Sequence, residues 1–186
     1  AMCVFSIAVQ VFFPYLIIYM QHFLLMDNYA MVLGVVLIVA SLVSVLMGKT
    51  IDRAGKLRIT LLAAGVMLAG LIGMYFARGA VSVILAGSVM MSGYMVVTAA
   101  LSAEIRDRTP QDRAGHFQGI RMIFAVMVPM LIGPFIGAAV IRGNAQTYVE
   151  LGITKTVPTP AIFLAAGATL LLVLIPVLLL RRRENA

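Results

Sequence analysis

The sequence predicts an all-α membrane protein that crosses the bilayer six times. Of its 186 residues, 62% are hydrophobic and only 11% are charged, and the mean hydropathy is +1.07. A soluble domain usually carries about 25% charged residues. Six apolar runs each approach the roughly 20 residues that a helix needs to cross the hydrocarbon. They lie at about 4–25, 30–47, 59–77, 80–101, 117–141 and 161–180.

Short connections join these runs, so the sequence predicts a single six-helix bundle over residues 1–186. The connections at 26–29 and 78–79 are so short that the helices on either side are expected to pack as antiparallel neighbours. Residue 1 is Ala, and apolar sequence follows it without a basic stretch, which is not the pattern of a secretory signal. We therefore expect the chain to be a fragment of a longer protein.

The basic residues predict the orientation of the bundle. If six spans alternate, most Lys and Arg residues outside the spans fall on one side of the membrane, where the positive-inside rule places the cytoplasm. We therefore expect a plasma (inner) membrane protein with both termini cytoplasmic, and lipid rather than nucleic acid explains the net charge of +7. The residues on the basic side are Lys49, Arg53, Lys56, Arg58, Arg106, Arg108, Arg113 and Arg181 to Arg183, against Arg78, Arg142 and Lys155 on the other.

Two kinds of site are excluded by residue spacing. Gly48-Lys49-Thr50 resembles the end of a phosphate-binding loop, but that loop needs a glycine at position 43, which is Val43, inside an apolar run. Cys3 is the single cysteine, so no disulfide or cysteine-based metal framework is available. The sequence predicts no metal and no organic cofactor.

The connection between the second and third runs carries a motif. Gly48, Asp52, Arg53, Gly55 and Lys56 follow the spacing G-x-x-x-D-R-x-G-K. Gly48 is expected to end the second helix, and Gly55 is expected to permit the reversal into the third. The motif resembles the signature loop of the major facilitator superfamily, which implies that these five residues form part of a cytoplasmic gate.

A second charged segment, residues 104–124, lies between the fourth and fifth runs and resembles the equivalent loop of the same superfamily. The amino-acid sequence of this segment is similar to that of the branch of glycoside–pentoside–hexuronide:cation symporters. Arg121 is the single charge inside a predicted span, and we interpret it as support for the gate rather than as a substrate contact. Its side chain either extends out to the cytoplasmic surface or pairs with Glu104 or Asp107 in the loop. The predicted cluster is Glu104, Arg108, Arg113 and Arg121.

The resemblance implies one half of a twelve-helix transporter that works by alternating access. We interpret the chain as the C-terminal half, with the N-terminal half as the alternative, and expect the missing half and a small-molecule substrate as partners. The implied cargo is a small polar solute, with a sugar as the narrower expectation. The competing interpretation is a six-helix scaffold that transports nothing.

Polar groups near mid-depth are the candidates for substrate contact, because substrate in this superfamily lies near the bilayer midplane between the two halves. Helix packing is the simpler role for the serine, and an interfacial position for Tyr19. Pro14 predicts a kink in the first helix, and Gly133 and Gly137 predict close approach of the fifth. The candidates are Gln10, Tyr15, Tyr19, Ser92, Tyr94 and Thr98.

Acidic residues are absent from all six predicted spans. A proton- or sodium-coupled carrier needs a membrane-embedded carboxylate, so we expect any coupling ion to bind mainly in the missing half. An intramembrane serine protease is excluded, because Ser92 has no base within reach, and we predict no enzymatic activity and no catalytic residue. The seven acids are Asp27, Asp52, Glu104, Asp107, Asp112, Glu150 and Glu184.

Overall fold

The structure, a computed structural model, confirms the six predicted helices, each long and apolar enough to cross a membrane. Arg113 of the predicted loop cluster lies outside the residues it describes, as do the side chains of Asp52 and Arg53. The backbone is described for residues 1–110, 114–142, 144, 146–150 and 153–184, and the side chains for the same residues without 52–54, 114, 150, 153 and 180–184.

The spans are numbered α1 to α6 in chain order, and α5 and α6 consist of consecutive helical segments. They are α1 (Met2–Phe23), α2 (Tyr29–Ala54), α3 (Lys56–Phe76), α4 (Ala80–Asp107), α5 (Ala114–Met122, Ile123–Met127 and Val128–Ile141) and α6 (Ala161–Leu171 and Leu174–Glu184).

The turn between α2 and α3 is shorter than the sequence predicts. Gly48 does not end α2, because the helix continues through it to Ala54. Only Gly55 interrupts the helix, with φ of 88°, a left-handed conformation that favours glycine. Hydropathy marks where the hydrocarbon ends, whereas helical hydrogen bonding continues into the polar region. The two helices therefore extend toward water and meet at a single residue.

Three of the spans are irregular along their length, and in α6 a turn at Leu172 and Val173 separates the two helical segments. In α1, Pro14 lies in a 3-10 turn, Phe13–Tyr15, where its missing N–H interrupts regular helical hydrogen bonding. The same span ends in a π-helical turn, Tyr19–Phe23. In α5, a second π-helical turn, Ile123–Met127, precedes Pro129. The predicted irregularity at Pro14 is present, and both π turns were missed.

The connection between α5 and α6 contains a β-hairpin that the sequence analysis treated as a loop. Strand β1 (Thr147–Glu150) pairs antiparallel with β2 (Ile153–Thr156), with Thr147 opposite Thr156. The short Thr-, Tyr- and Val-containing segments are typical of strands. The hairpin places Tyr148 beside the end of α1, where its ring stacks on His22 at 4.3 Å between centroids.

Helix packing leaves two spans much more exposed than the others. Helices α3 and α4 pack with backbones in contact, since a Cβ on Gly70 would lie 2.3 Å from the Met90 nitrogen and one on Gly93 would lie 2.5 Å from the Met67 nitrogen. In the most apolar stretches of α2 and α5, 17% of residues are buried, against 39–44% in the other four spans. Much of the apolar surface of α2 and α5 is therefore uncovered within this chain.

The two ends of the bundle differ in composition and are named accordingly. Of the residues whose backbone is described, the basic end comprises 48–58, 104–110, 114–121 and 181–183. The aromatic end comprises 19–29, 76–80, 142, 144, 146–150 and 153–163.

Candidate functional site

A cavity of about 360 Å³ opens between α1, α4 and α5. Gln10 and Tyr94, near the middle of α1 and α4, contribute to its wall, so the cavity reaches the mid-depth of the bundle. Most of the remaining wall is apolar, which is usual for a small-molecule site with a few placed polar groups. The polar lining residues are Ser6, Gln10, Tyr94, Thr98, Gln118 and Arg121, and the others are Met2, Phe5, Val9, Phe13, Met122, Ala125, Val126 and Met130.

Three predicted substrate-facing residues line this cavity: Gln10, Tyr94 and Thr98. The ring of Tyr94 stacks on Phe5, with centroids 5.9 Å apart and planes 15° apart. The Thr98 hydroxyl donates to the Tyr94 carbonyl at 2.8 Å, which uses its proton within α4 and leaves its oxygen able to accept. Together they offer a ligand an amide, a flat ring face and a hydroxyl acceptor.

The other three predicted substrate-facing residues lie elsewhere. The Tyr15 hydroxyl donates to the Pro134 carbonyl at 2.9 Å and so ties α1 to α5. Tyr19 is fully buried, with its ring stacked on Phe23. Ser92 is 8% exposed, next to the close approach of Gly93 to α3. None of the three lines the cavity, and their contacts favour packing roles.

Glycines on α5 set the distance between α1 and α5. A Cβ on Gly133 would lie 2.4 Å from the Cβ of Gln10, and one on Gly137 would lie 2.5 Å from the Val11 carbonyl oxygen. A side chain at either position would push the helices apart, so the predicted close approach of span five is present. The contact at Gly133 fixes the position of Gln10 beside the cavity.

Arg121 lies at the junction of two spaces. It lines the cavity, and it also lines a wider vestibule of about 1080 Å³ at the basic end. Its Nη2 donates to Ser102 Oγ at 2.9 Å. The predicted pairing with Glu104 or Asp107 is wrong, because among the described residues those acids pair with other cations.

Gln118 shares both spaces with Arg121 and was missed by the sequence analysis. The two residues are three apart on α5, which places them on the same helical face. That spacing was the signal that would have identified Gln118. Ser102, also missed, gave no sequence signal, since its contact with Arg121 joins two different helices.

Ion pairs connect the helices at the basic end. Lys56, at the first turn of α3, donates through Nζ to Asp107 Oδ2 at the last residue of α4. Arg108 pairs with Glu104, four residues earlier. The first contact joins Lys56 of the predicted motif to Asp107 in the second charged segment. The second contact joins Glu104 in the last turn of α4 to the residue that follows the helix.

Aromatic rings connect the helices at the opposite end. The ring of Tyr19 lies 5.0 Å from Phe23 and 5.1 Å from Phe163 between centroids, which links α1 to α6. The guanidinium carbon of Arg78, between α3 and α4, lies 5.5 Å from the centroid of Phe23, a cation–π arrangement. Three connections of the chain therefore meet around the end of α1.

The described residues contain no group of three or more His, Cys, Asp or Glu side chains placed to hold a metal ion.

Comparison with known proteins gives a family for the chain. No curated protein and no solved structure matches the sequence. The family model of the Major Facilitator Superfamily matches residues 1–186. The six membrane-capable helices and this match over the whole sequence establish that the chain belongs to the Major Facilitator Superfamily of membrane transporters.

Proposed function

We propose that the chain is half of a secondary transporter that moves a small polar solute by alternating access. The observation that carries this proposal is the cavity between α1, α4 and α5, which reaches mid-depth and shares Gln118 and Arg121 as wall residues with the vestibule at the basic end. A substrate site near the midplane that connects to one side of the membrane is what alternating access requires. A sugar is one candidate cargo, since Gln10, Tyr94 and Thr98 supply hydrogen-bonding groups and a ring face.

The exposed apolar surface of α2 and α5 supports the presence of a second six-helix half. Only 17% of the residues in their most apolar stretches are buried within this chain. We propose that the chain is the C-terminal half and that the other half packs against these two helices and closes the cavity. Any carboxylate that binds a coupling proton or sodium ion then belongs mainly to that other half.

Uptake by liposomes tests this assignment. We expect liposomes that hold the full-length transporter to accumulate radiolabelled solute from a panel of hexoses, pentoses and organic acids, and liposomes that hold only residues 1–186 to accumulate none. Saturable uptake by the chain alone would contradict the half-transporter assignment. An absence of uptake by the full-length protein would favour a scaffold.

The basic residues support a location in the inner membrane with both ends of this chain in the cytoplasm, by the positive-inside rule. In that orientation the motif Gly48, Asp52, Arg53, Gly55 and Lys56 belongs to a cytoplasmic gate. The ion pair from Lys56 to Asp107 supports the gate role, because it joins α3 to α4 through a carboxylate that lines the vestibule.

Substitution of Asp52 tests the gate. We expect Asp52→Asn in the full-length transporter to lower the maximal uptake rate at least several-fold while the apparent KM changes little, because a gate residue acts on the conformational equilibrium and not on the bound solute. Initial uptake rates over a range of solute concentrations measure both parameters. An unchanged maximal rate would reduce the motif to a topology signal.

A further inference from the structure

Among the described residues that line the cavity, one side chain is charged at neutral pH, and its charge is positive. That side chain is Arg121. The two amides, Gln10 and Gln118, and the hydroxyls of Ser6, Tyr94 and Thr98 are neutral. A neutral solute would leave the Arg121 guanidinium facing the cavity without an anion.

Arg121 is half-buried and has unused hydrogen-bonding capacity. A guanidinium has five N–H donors, and the described contacts of Arg121 use one, from Nη2 to Ser102 Oγ. In the part of the chain that the structure describes, no carboxylate lies within 4.0 Å of it. A half-buried cation among apolar side chains is unfavourable unless an anion accompanies it.

The surroundings of Arg121 indicate the shape of that anion. Gln118 shares its helical face and the same wall, and provides an amide beside the guanidinium. Farther along the cavity, the partly exposed ring of Tyr94 is backed by the buried ring of Phe5, and Phe13, which is 48% exposed, extends the apolar wall. A ligand that suits this wall has one anionic group at one end and an apolar or aromatic body.

We propose that the cavity binds an organic monocarboxylate, with the carboxylate on Arg121 and Gln118 and the apolar body against Tyr94 and Phe13. This inference rests on the proposed transport function and narrows its cargo from a small polar solute to an organic anion. A carboxylate matches the planar fork of a guanidinium in a bidentate contact. One positive charge balances a monoanion, whereas a doubly charged phosphate ester would retain an excess negative charge.

A matched pair of probes tests the carboxylate. Benzoate and benzamide have the same ring and nearly the same shape, but only benzoate is charged. We expect the purified full-length transporter, studied by calorimetry in detergent at about 0.15 M salt, to bind benzoate at least tenfold more tightly than benzamide. Arg121→Gln should abolish this preference by weakening benzoate and leaving benzamide unchanged, and Arg121→Lys should retain part of it, because lysine keeps the charge without the fork.

Arg106 supplies the control. Its side chain is 80% exposed and lines the vestibule but not the cavity, so Arg106→Gln removes one positive charge nearby without touching the proposed site. Benzoate binding should be the same in Arg106→Gln as in the unchanged protein. A similar loss in both variants would show a general electrostatic effect and overturn the assignment of the carboxylate to Arg121.

Other outcomes also decide the question. Equal affinity for both probes, or no binding of benzoate by folded protein, would overturn the proposal. So would a fall in the melting temperature of ligand-free Arg121→Gln without any change in the benzoate preference, which would identify a carboxylate of the other half as the partner of Arg121. Uptake of a neutral sugar that Arg121→Gln leaves unaffected would refute the organic anion while the transport function stands.

Discussion

Charged side chains join the helices at the basic end of the bundle, and aromatic rings join them at the aromatic end. Lys56 and Asp107 connect α3 to α4 through an ion pair whose carboxylate is 52% exposed. Tyr19 and Phe163 connect α1 to α6 through rings that are both fully buried. The same chain thus uses a solvated contact at one end and a packed one at the other.

The two kinds of contact differ in what is lost when they separate. Water and salt replace most of the attraction between exposed charges, so such a pair contributes about 0–1 kcal/mol. Buried rings lose their packing contacts outright, and aromatic pairs contribute about 0.5–1.5 kcal/mol beyond the area that they bury. Within this half, we therefore expect the basic end to separate more easily than the aromatic end.

The largest expected effect comes from removing a ring at the aromatic end. Phe163→Ala deletes contacts to Tyr19 at 5.1 Å and to Phe12 at 5.9 Å between centroids. We expect it to lower the free energy of unfolding by roughly 2 kcal/mol. This is less than in a soluble core, because detergent or lipid solvates the ring when the protein unfolds. Unfolding in mixed micelles, followed by circular dichroism, measures the change.

Phe76→Ala is the matched control for this substitution. Phe76 ends α3 at the same end of the bundle, but its side chain is 71% exposed. It should change the unfolding free energy by less than about 0.5 kcal/mol. If the two variants lose equal stability, the packed rings do not hold the aromatic end, and the contrast between the ends disappears.

The number and approximate position of the helices could be predicted because the hydrocarbon demands long apolar runs. The ends of α2 and α4 could not, since Asp52 and Asp107 lie beyond the apolar runs yet remain helical. Hydropathy reports depth in the membrane, and helical hydrogen bonds do not stop where the hydrocarbon stops. The hairpin at Thr147–Thr156 was missed because its strands are only four residues long.

Only part of the candidate site could be predicted, and the reason differs from the one for the helix ends. Tyr15 and Tyr94 both looked suitable as polar residues at mid-span, but Tyr15 bonds to Pro134 while Tyr94 faces the cavity. The direction of a side chain depends on which helices are neighbours, and no pattern within one helix contains that information. The predicted acidic partner of Arg121 was wrong for the same reason. Helix packing places Arg121 beside Ser102 and places Asp107 beside Lys56.

The smallest expected effect on stability lies at the basic end. Lys56→Gln and Asp107→Asn, made singly and together, form a double-mutant cycle for the ion pair between α3 and α4. We expect a coupling free energy of about 0.2–1 kcal/mol, several times smaller than the effect of Phe163→Ala. The same micelle unfolding measurement provides it, and the coupling should shrink further at about 1 M salt, where the screening length falls to about 3 Å.

Transport rates separate this pair from an ordinary surface contact. Glu104→Gln is the control, because Glu104 pairs with Arg108 four residues away and that contact joins no second helix. Since the pair ties α3 to α4, and Asp107 lines the vestibule, we expect breaking it to change the maximal uptake rate more than Glu104→Gln does, despite similar effects on stability. A coupling free energy as large as the Phe163→Ala effect, or one insensitive to salt, would show that the basic end is held as firmly as the aromatic end. The barrier to opening would then have to lie in contacts with the proposed second half.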